Sequence, residues 1–164
     1  MNDRPTPRII VRPADLDHPD DGRRIVELLD MYSRESFGQA APLPENVRQD
    51  LVHGLRDHPT TLVLLAMEDE NAIGIAVCFF GFSTFAARPL LNIHDLAVSP
   101  GARGRGAGRA LLQAAQQHAT DRGCCKLTLE VREDNHGARR LYRDFGFESQ
   151  NDTPHSHLFW VKPL

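Results

Sequence analysis

Apolar side chains along this chain recur with two periods, and the period switches several times. Short, β-rich runs read as strands at 8–12 (RIIVR, closed by Pro13), 61–67 (TLVLLAM), 72–80, 91–98 (LNIHDLAV) and 126–131 (KLTLEV). Between them, Ile25, Leu28, Leu29 and Tyr32 recur at three and four residues, which predicts a helix over 23–32. Asp20 and Asp21 precede it, where acidic groups favour a helix start. Further helices are predicted over 45–56, 105–121 and 135–145, with Gly123 and Gly146 placed as stops. Residues 68–71 read as a hairpin turn, and 37–44 and 82–89 as loops. Two last strands are expected at 147–150 and 157–161. No repeat and no linker composition interrupts the series, so a single α/β domain over 1–164 is expected.

Composition narrows the partners. With 164 residues, 41% hydrophobic and 25% charged, the chain has enough apolar material for a core without covalent staples. The formal charge of -3 argues against nucleic acid as the partner. The cysteines are Cys78, Cys124 and Cys125, an odd number with an adjacent pair, which suits a reducing compartment and a cytoplasmic location. The start, MNDRPTPR, has no apolar run of a leader, and the longest apolar stretch, 72–82, is too short to span a bilayer. No membrane partner is therefore expected. His155 and His157 with Cys124 and Cys125 do not make a zinc pattern, because adjacent cysteines lack the usual gap, so no metal site is expected.

The densest chemical signal is GARGRGAGRALL, 101–112, between a strand and a helix. A phosphate loop of the Gly-Lys-Ser/Thr type is excluded, since Arg109 and Ala110 follow Gly108. A dinucleotide fingerprint fails too: counted from Gly104 its third glycine falls on Arg109, and from Gly106 on Leu111. What remains is Arg103-x-x-Gly106-x-Gly108 at a helix N-terminus. Free amides and the helix dipole favour an anion there, and glycine lets main chain approach a diphosphate. A glycine-rich turn packed on the sheet, with its arginines in water, fits the same residues.

The pieces around that run resemble the GNAT superfamily of acetyl-CoA-dependent N-acetyltransferases. The similarity rests on LAVSP (96–100), RGRGAG (103–108), LEV (129–131) and the set Asn135, Ala138, Leu141, Tyr142, Gly146 and Phe147, in that order. The resemblance implies an α/β (or α+β) fold with a mixed, mostly antiparallel sheet of six to seven strands, about four helices and a splayed central strand pair. It implies acetyl-CoA as the acyl donor. The amides of Arg103, Gly104, Arg105, Gly106, Ala107 and Gly108 are then expected to cradle the coenzyme diphosphate, and Leu96, Ala97 and Val98 to pair with its pantetheine arm as an added strand. Asn135 is expected beside that arm, or simply as a helix cap. The main-chain N–H of Leu96 is expected to polarise the acetyl carbonyl. Homodimers are common in the family, and one is possible here.

Tyr142 holds the family's place for a general acid that protonates the departing thiolate; a half-buried core tyrosine is the plainer reading. His94 is the candidate base, with Glu130 as another. Strict alternation would put Asn92, His94, Leu96 and Val98 on one face of the strand and Ile93, Asp95 and Ala97 on the other. FSTF (82–85), LLNIHDLAV and RIVELLDMY (24–32) resemble the polyamine acetyltransferase branch. That branch carries glutamate where this chain has His94, and more acidic residues after its first helix. Phe37, Phe82 and Phe85 are expected to line an apolar acceptor pocket, with Asp95 near the substrate, which suits a small-molecule primary amine. A non-catalytic acyl-CoA sensor and, less in keeping with the charge, a nucleic-acid module using the Arg-Gly run are the alternatives from other classes.

Overall fold

The computed structural model describes residues 8–149 and 162. Five strands form one sheet in the order β1 (Ile9–Pro13), β2 (Thr61–Glu68), β3 (Asn71–Ser83), β4 (Arg88–Val98) and β5 (Leu127–Leu129). The first four pair antiparallel, and β5 joins β4 in parallel. Helices α1 (Pro19–Ser33) and α2 (Glu45–Asp57) cover one face, while α3 (Ala107–Asp121) and α4 (His136–Phe145) lie on the other. Among the described residues there are five strands, where six to seven were expected for the whole chain. Phe147 to Ser149 are not in a strand, and 157–161 lie outside the described residues.

Period-two patterning builds both layers. On β2, Leu64 and Ala66 turn to α3, and Val63, Leu65 and Met67 turn to α1 and α2. Leu111 and Leu112 of α3 are fully buried against the first face, and Ile25, Leu28 and Leu29 of α1 are buried on the second. Each helix is finished locally. The His18 ring accepts from the Asp20 amide ahead of Pro19, and Asn135 Oδ1 accepts from the Ala138 amide at 3.2 Å. Gly146 closes α4 with φ 105°, a left-handed conformation that favours glycine. The β3–β4 hairpin runs further than its sequence suggests: the strands take two residues at each end of 82–89, leaving 84–87 as the turn.

Asp21, read from sequence as a favourable charge at a helix start, does more than that. It is 3% exposed, and its carboxylate accepts from Arg12 at 2.6 and 2.8 Å, from Arg24 at 2.9 Å and from the Asp15 amide at 2.9 Å. Arg24 also donates to the Glu70 carbonyl at 3.1 Å. One carboxylate thus ties β1, the start of α1 and the β2–β3 turn together. The Arg12 hydrogen bond outweighs burial and holds its pKa far below the usual carboxylate range. Because the folded pKa is lowered, this stabilisation is present above the ordinary carboxylate pKa and is lost as pH falls towards the folded value. Asp21→Ala is expected to cost about 3 kcal/mol at neutral pH, since it strands two arginines. Denaturant unfolding across pH 2–7 checks this: the variant should lose part of the wild type's acid-side slope.

Candidate active site

The sheet carries two register shifts, one in the β2–β3 ladder at Ala66 and Met67 and one in the β3–β4 ladder. Val77 pairs with Asp95, but Cys78 pairs with Ile93, so His94 is an extra residue in β4. The bulge reverses the alternation expected from sequence. Leu91, Ile93, Leu96 and Val98 belong to the α3/α4 face, whereas Ala97 belongs to the α1/α2 face with Val77 and Phe79. Asp95, opposite Val77, shares that second face. His94 is exposed and sits edge-on to Phe79, ring centroids 5.6 Å apart, so it falls on Asp95's side of the sheet and not on that of Leu96.

The bulge also ends the pairing with β5. Leu91, Asn92 and Ile93 pair with Leu127, Thr128 and Leu129, and Asn92 Nδ2 donates to Thr128 Oγ1 at 3.0 Å. Beyond Ile93 the two strands part. The Ser99 amide donates to the Ile73 carbonyl of β3 at 2.9 Å, and the Ala97 carbonyl lies against Gly74. With period two, Ala97 and Ser99 turn their main-chain groups to β3, and Leu96 and Val98 turn theirs to the open side. Arg103 Nε confirms this for Val98, donating to its carbonyl at 3.0 Å.

The glycines after β4 do different jobs. Gly104 and Gly106 have φ 73° and 93°, and a Cβ on either would meet no atom within 4 Å, so the turn is shaped by backbone and faces open space. Gly106 caps α3, which starts at Ala107 rather than at 105 and has no side-chain cap. Among the described residues, no amide from Gly104 to Arg109 donates a main-chain hydrogen bond, whereas the Ala110 amide bonds to the Gly106 carbonyl. Gly108 is small for another reason: a Cβ there would stand 3.0 Å from Leu141 Cδ2 of α4. The arginines face carboxylates, Arg103 pairing with Glu35 and Arg105 with Glu68.

Tyr142, on α4, is 9% exposed and packs edge-on to Phe147. Its hydroxyl makes no hydrogen bond among the described residues, yet it is not sealed from the surface. Burial, with Tyr32 beside it, pushes its pKa up to about 12, so it keeps its proton at neutral pH. Tyr32 stands at the end of α1, and its pKa is also raised, by burial and then by the charges of Asp95 and Glu35. Asp95 is half-buried; desolvation raises its pKa, and His94 partly opposes the rise. Tyr142 and Tyr32, and Tyr32 and Asp95, are thus near enough to feel each other's charge. Where β4 and β5 part, groups from opposite faces of the sheet come into each other's field.

A strap closes this opening on the α1/α2 side. Asp30 is buried, accepts from Arg34 at 2.9 Å and the Leu43 amide at 2.9 Å, and pairs with Arg48 at 3.2 Å. Ser33 Oγ donates to the Ala41 carbonyl at 2.6 Å, and the Gln39 amide donates to Ser33. These bonds fold 34–43 back on α1, so Glu35 reaches Arg103 after β4, while Arg132 after β5 donates to the Ser36 carbonyl at 3.1 Å and lies over the Phe37 ring. The strap is thus pinned to both banks of the split.

The structure therefore brings Tyr142, Asp95, His94, Leu96, Val98, the 103–108 turn and Phe37 into one region. Asn135 is there as the cap of α4, and Ala97 is turned into the β3 ladder. One expectation is corrected. Phe82 and Phe85 are not at this opening: they are 63% and fully exposed at the hairpin tip. Phe82 pairs with Pro89, about 20 Å along β4 from Asp95 at about 3.3 Å per residue. Glu130 is the first residue after β5, exposed, at the point where the two strands begin to part. Sequence reasoning missed Tyr32, Glu35 and Arg132. Tyr32 fits the apolar stripe of α1, and nothing in the spacing of the other two separates them from solvated charges.

Known proteins agree with this geometry. The profile of the acetyltransferase (GNAT) family matches residues 24–147. An uncharacterised N-acetyltransferase of Bacillus subtilis is 33% identical over 82% of this chain and 89% of its own. A Bos taurus thialysine N-epsilon-acetyltransferase is 30% identical over 53% of this chain and 51% of its own. An aminoglycoside acetyltransferase from an uncultured soil metagenomic sample, 17% identical, shares the fold with a TM-score of 0.75 over 94% of this chain and 97% of its own. The chain belongs to the GNAT acetyltransferase family and is an acyltransferase that acetylates an amine nitrogen. Among the described residues, no helix is long and apolar enough to cross a membrane.

A Cβ on Gly38 would lie 2.2 Å from the Tyr32 carbonyl oxygen, a backbone atom that cannot step aside. Gly38→Ala is therefore expected to lift the strap. Hydrogen exchange at the Gln39 and Ala41 amides, both bonded to Ser33, should quicken at least tenfold while the β2–β3 amides stay protected.

Proposed function

We propose that this chain moves the acetyl group of acetyl-CoA to a primary amine of a small molecule by direct attack within a ternary complex. The observation that carries the reading is the open main-chain edge of Leu96 and Val98. It lies between the unpaired amides of the glycine turn and the Tyr142 hydroxyl. The fit to the coenzyme is good on this chain's own residues. Six successive amides and two left-handed glycines facing open space suit a diphosphate, and an unpaired strand edge suits an extended amide-bearing arm.

Acetyl-CoA, when bound, supplies an acetyl group already activated as a thioester. The Leu96 N–H, on the open edge, donates to the acetyl oxygen and draws charge onto it. Asp95 holds the acceptor as its ammonium from the α1/α2 side and takes the proton whose loss frees the nitrogen lone pair; nitrogen sheds a second proton as its bond to the acetyl carbon forms, which balances the one Tyr142 gives to sulfur. His94, exposed beside Asp95, passes the proton taken there to water. Tyr142, on the α3/α4 side, donates its hydroxyl proton towards the leaving sulfur. Cys78, the cysteine nearest Asp95, is fully buried and its pKa is pushed up to about 12. It offers no thiolate to carry the acetyl group, which supports direct attack over a covalent relay.

Tyr142→Phe is expected to lower kcat about a hundredfold with acetyl-CoA affinity within about twofold, measured by thiol release and calorimetry. Unchanged turnover removes Tyr142 from the acid role. Tight coenzyme binding with no turnover on any amine reduces the chain to a coenzyme-binding protein.

Asp95→Asn separates catalysis from stability. The folded pKa of Asp95 is raised, so its contribution favours the fold at low pH and is lost as pH rises through the folded value. The variant is expected to melt higher than wild type at pH 7 and to turn over at least a hundredfold more slowly. The wild-type rate should fall on the acid side at a pH above the ordinary aspartate range, and that limb should vanish in the variant.

A further inference from the structure

The charges around the acceptor opening are paired with one exception. Arg34 and Arg48 are both committed to Asp30. Arg132 is bound in bidentate fashion by Asp134, at 3.0 and 2.7 Å, and its remaining nitrogen donates to the Ser36 carbonyl. Arg103 is shared between Glu35 and the Val98 carbonyl. Asp95 stands apart: among the described residues, no lysine or arginine lies within ion-pair distance of it, and the titratable side chain next to it is His94. The opening therefore holds one carboxylate in need of a cation and no cation in need of a carboxylate.

We infer that the acceptor is an alkylamine with no carboxylate beside the reacting nitrogen, and that α-amino acids are rejected. This rests on the acetyltransferase reading above. An ammonium on Asp95 supplies the missing counter-charge. The α-carboxylate of an amino acid would be brought close to half-buried Asp95, where like charges repel and, among the described residues, no unpaired lysine or arginine stands by to compensate. Phe37 and Tyr32 give the rest of the wall an apolar character, which suits a hydrocarbon substituent. Arg132 is the residue that would greet a carboxylate if Asp134 did not hold it, so the Arg132–Asp134 pair sets the selectivity.

The test compares 3-methylbutylamine, leucinamide and leucine, which share a side chain and differ at the carboxyl position. Thiol release with acetyl-CoA should give kcat/KM for the amine and the amide at least a hundredfold above leucine. Leucine within tenfold of the amine overturns the inference and leaves the acetyltransferase reading intact. Asp134→Asn, which frees Arg132, should raise leucine relative to the amine about tenfold; an unchanged ratio overturns the role given to that pair. Calorimetric titration of the chain with the same three compounds reads selectivity without turnover. Amine binding that leucine does not match, lost in Asp95→Asn, supports the inference even if no acetyl group is transferred, whereas equal binding of leucine overturns it.

Discussion

Everything about this site depends on one extra residue in one strand. A regular β4 would pair with β5 along its length, and the sheet would be a closed wall between two helical layers. The bulge at His94 spends a residue without a partner, and the strands separate immediately beyond it. Main-chain groups that any sheet would satisfy internally are left facing outward at Leu96 and Val98. Side chains from the two layers, Tyr142 on one and Tyr32 with Asp95 on the other, meet through the gap. The chemistry is thus created by a pairing that stops, more than by residues brought to a pre-existing pocket.

The surrounding structure bears the cost of that interruption. Fully buried Leu64, Leu65, Ile75, Leu91, Leu111 and Leu112 form continuous packing on the undisturbed part of the sheet. Asp21 and Asp30, each buried and each serving several donors, fix the two ends of α1 so that Tyr32 arrives at the gap. Holding Asp95 half-buried without a cation is destabilising by itself, and such a group persists where the rest of the fold is strong enough to carry it.

Much of this was legible in the chain. The alternating rhythms gave four helices and the first five strands in order, and the failure of both standard phosphate motifs left a helix-capping glycine turn as the reading of 101–112. The helical pattern from Asn135 and the stop at Gly146 located α4 correctly. The bulge was missed because strict alternation was assumed through LNIHDLAV. The adjacent polar pair His94 and Asp95, which sets Ile93 and Leu96 three apart, was its trace in the sequence. The aromatic residues at 82–85 misled for a related reason: strand propensity and loop composition overlap there, and only the long β3–β4 register shows that they ride out to the tip. Glu35 and Arg132 gain their meaning from partners 68 and 96 residues away, to which local pattern is blind.

Arg103 has a second consequence. An exposed strand edge invites pairing with the edge of another molecule's sheet, and β4 has had to open one in the middle of its own. The opening is short, and the guanidinium lying across it occupies the Val98 carbonyl. A foreign strand would find too few free groups in line to zip onto, and a charge in its path. The same side chain therefore leaves fewer free main-chain groups on this edge for a neighbouring sheet to pair with.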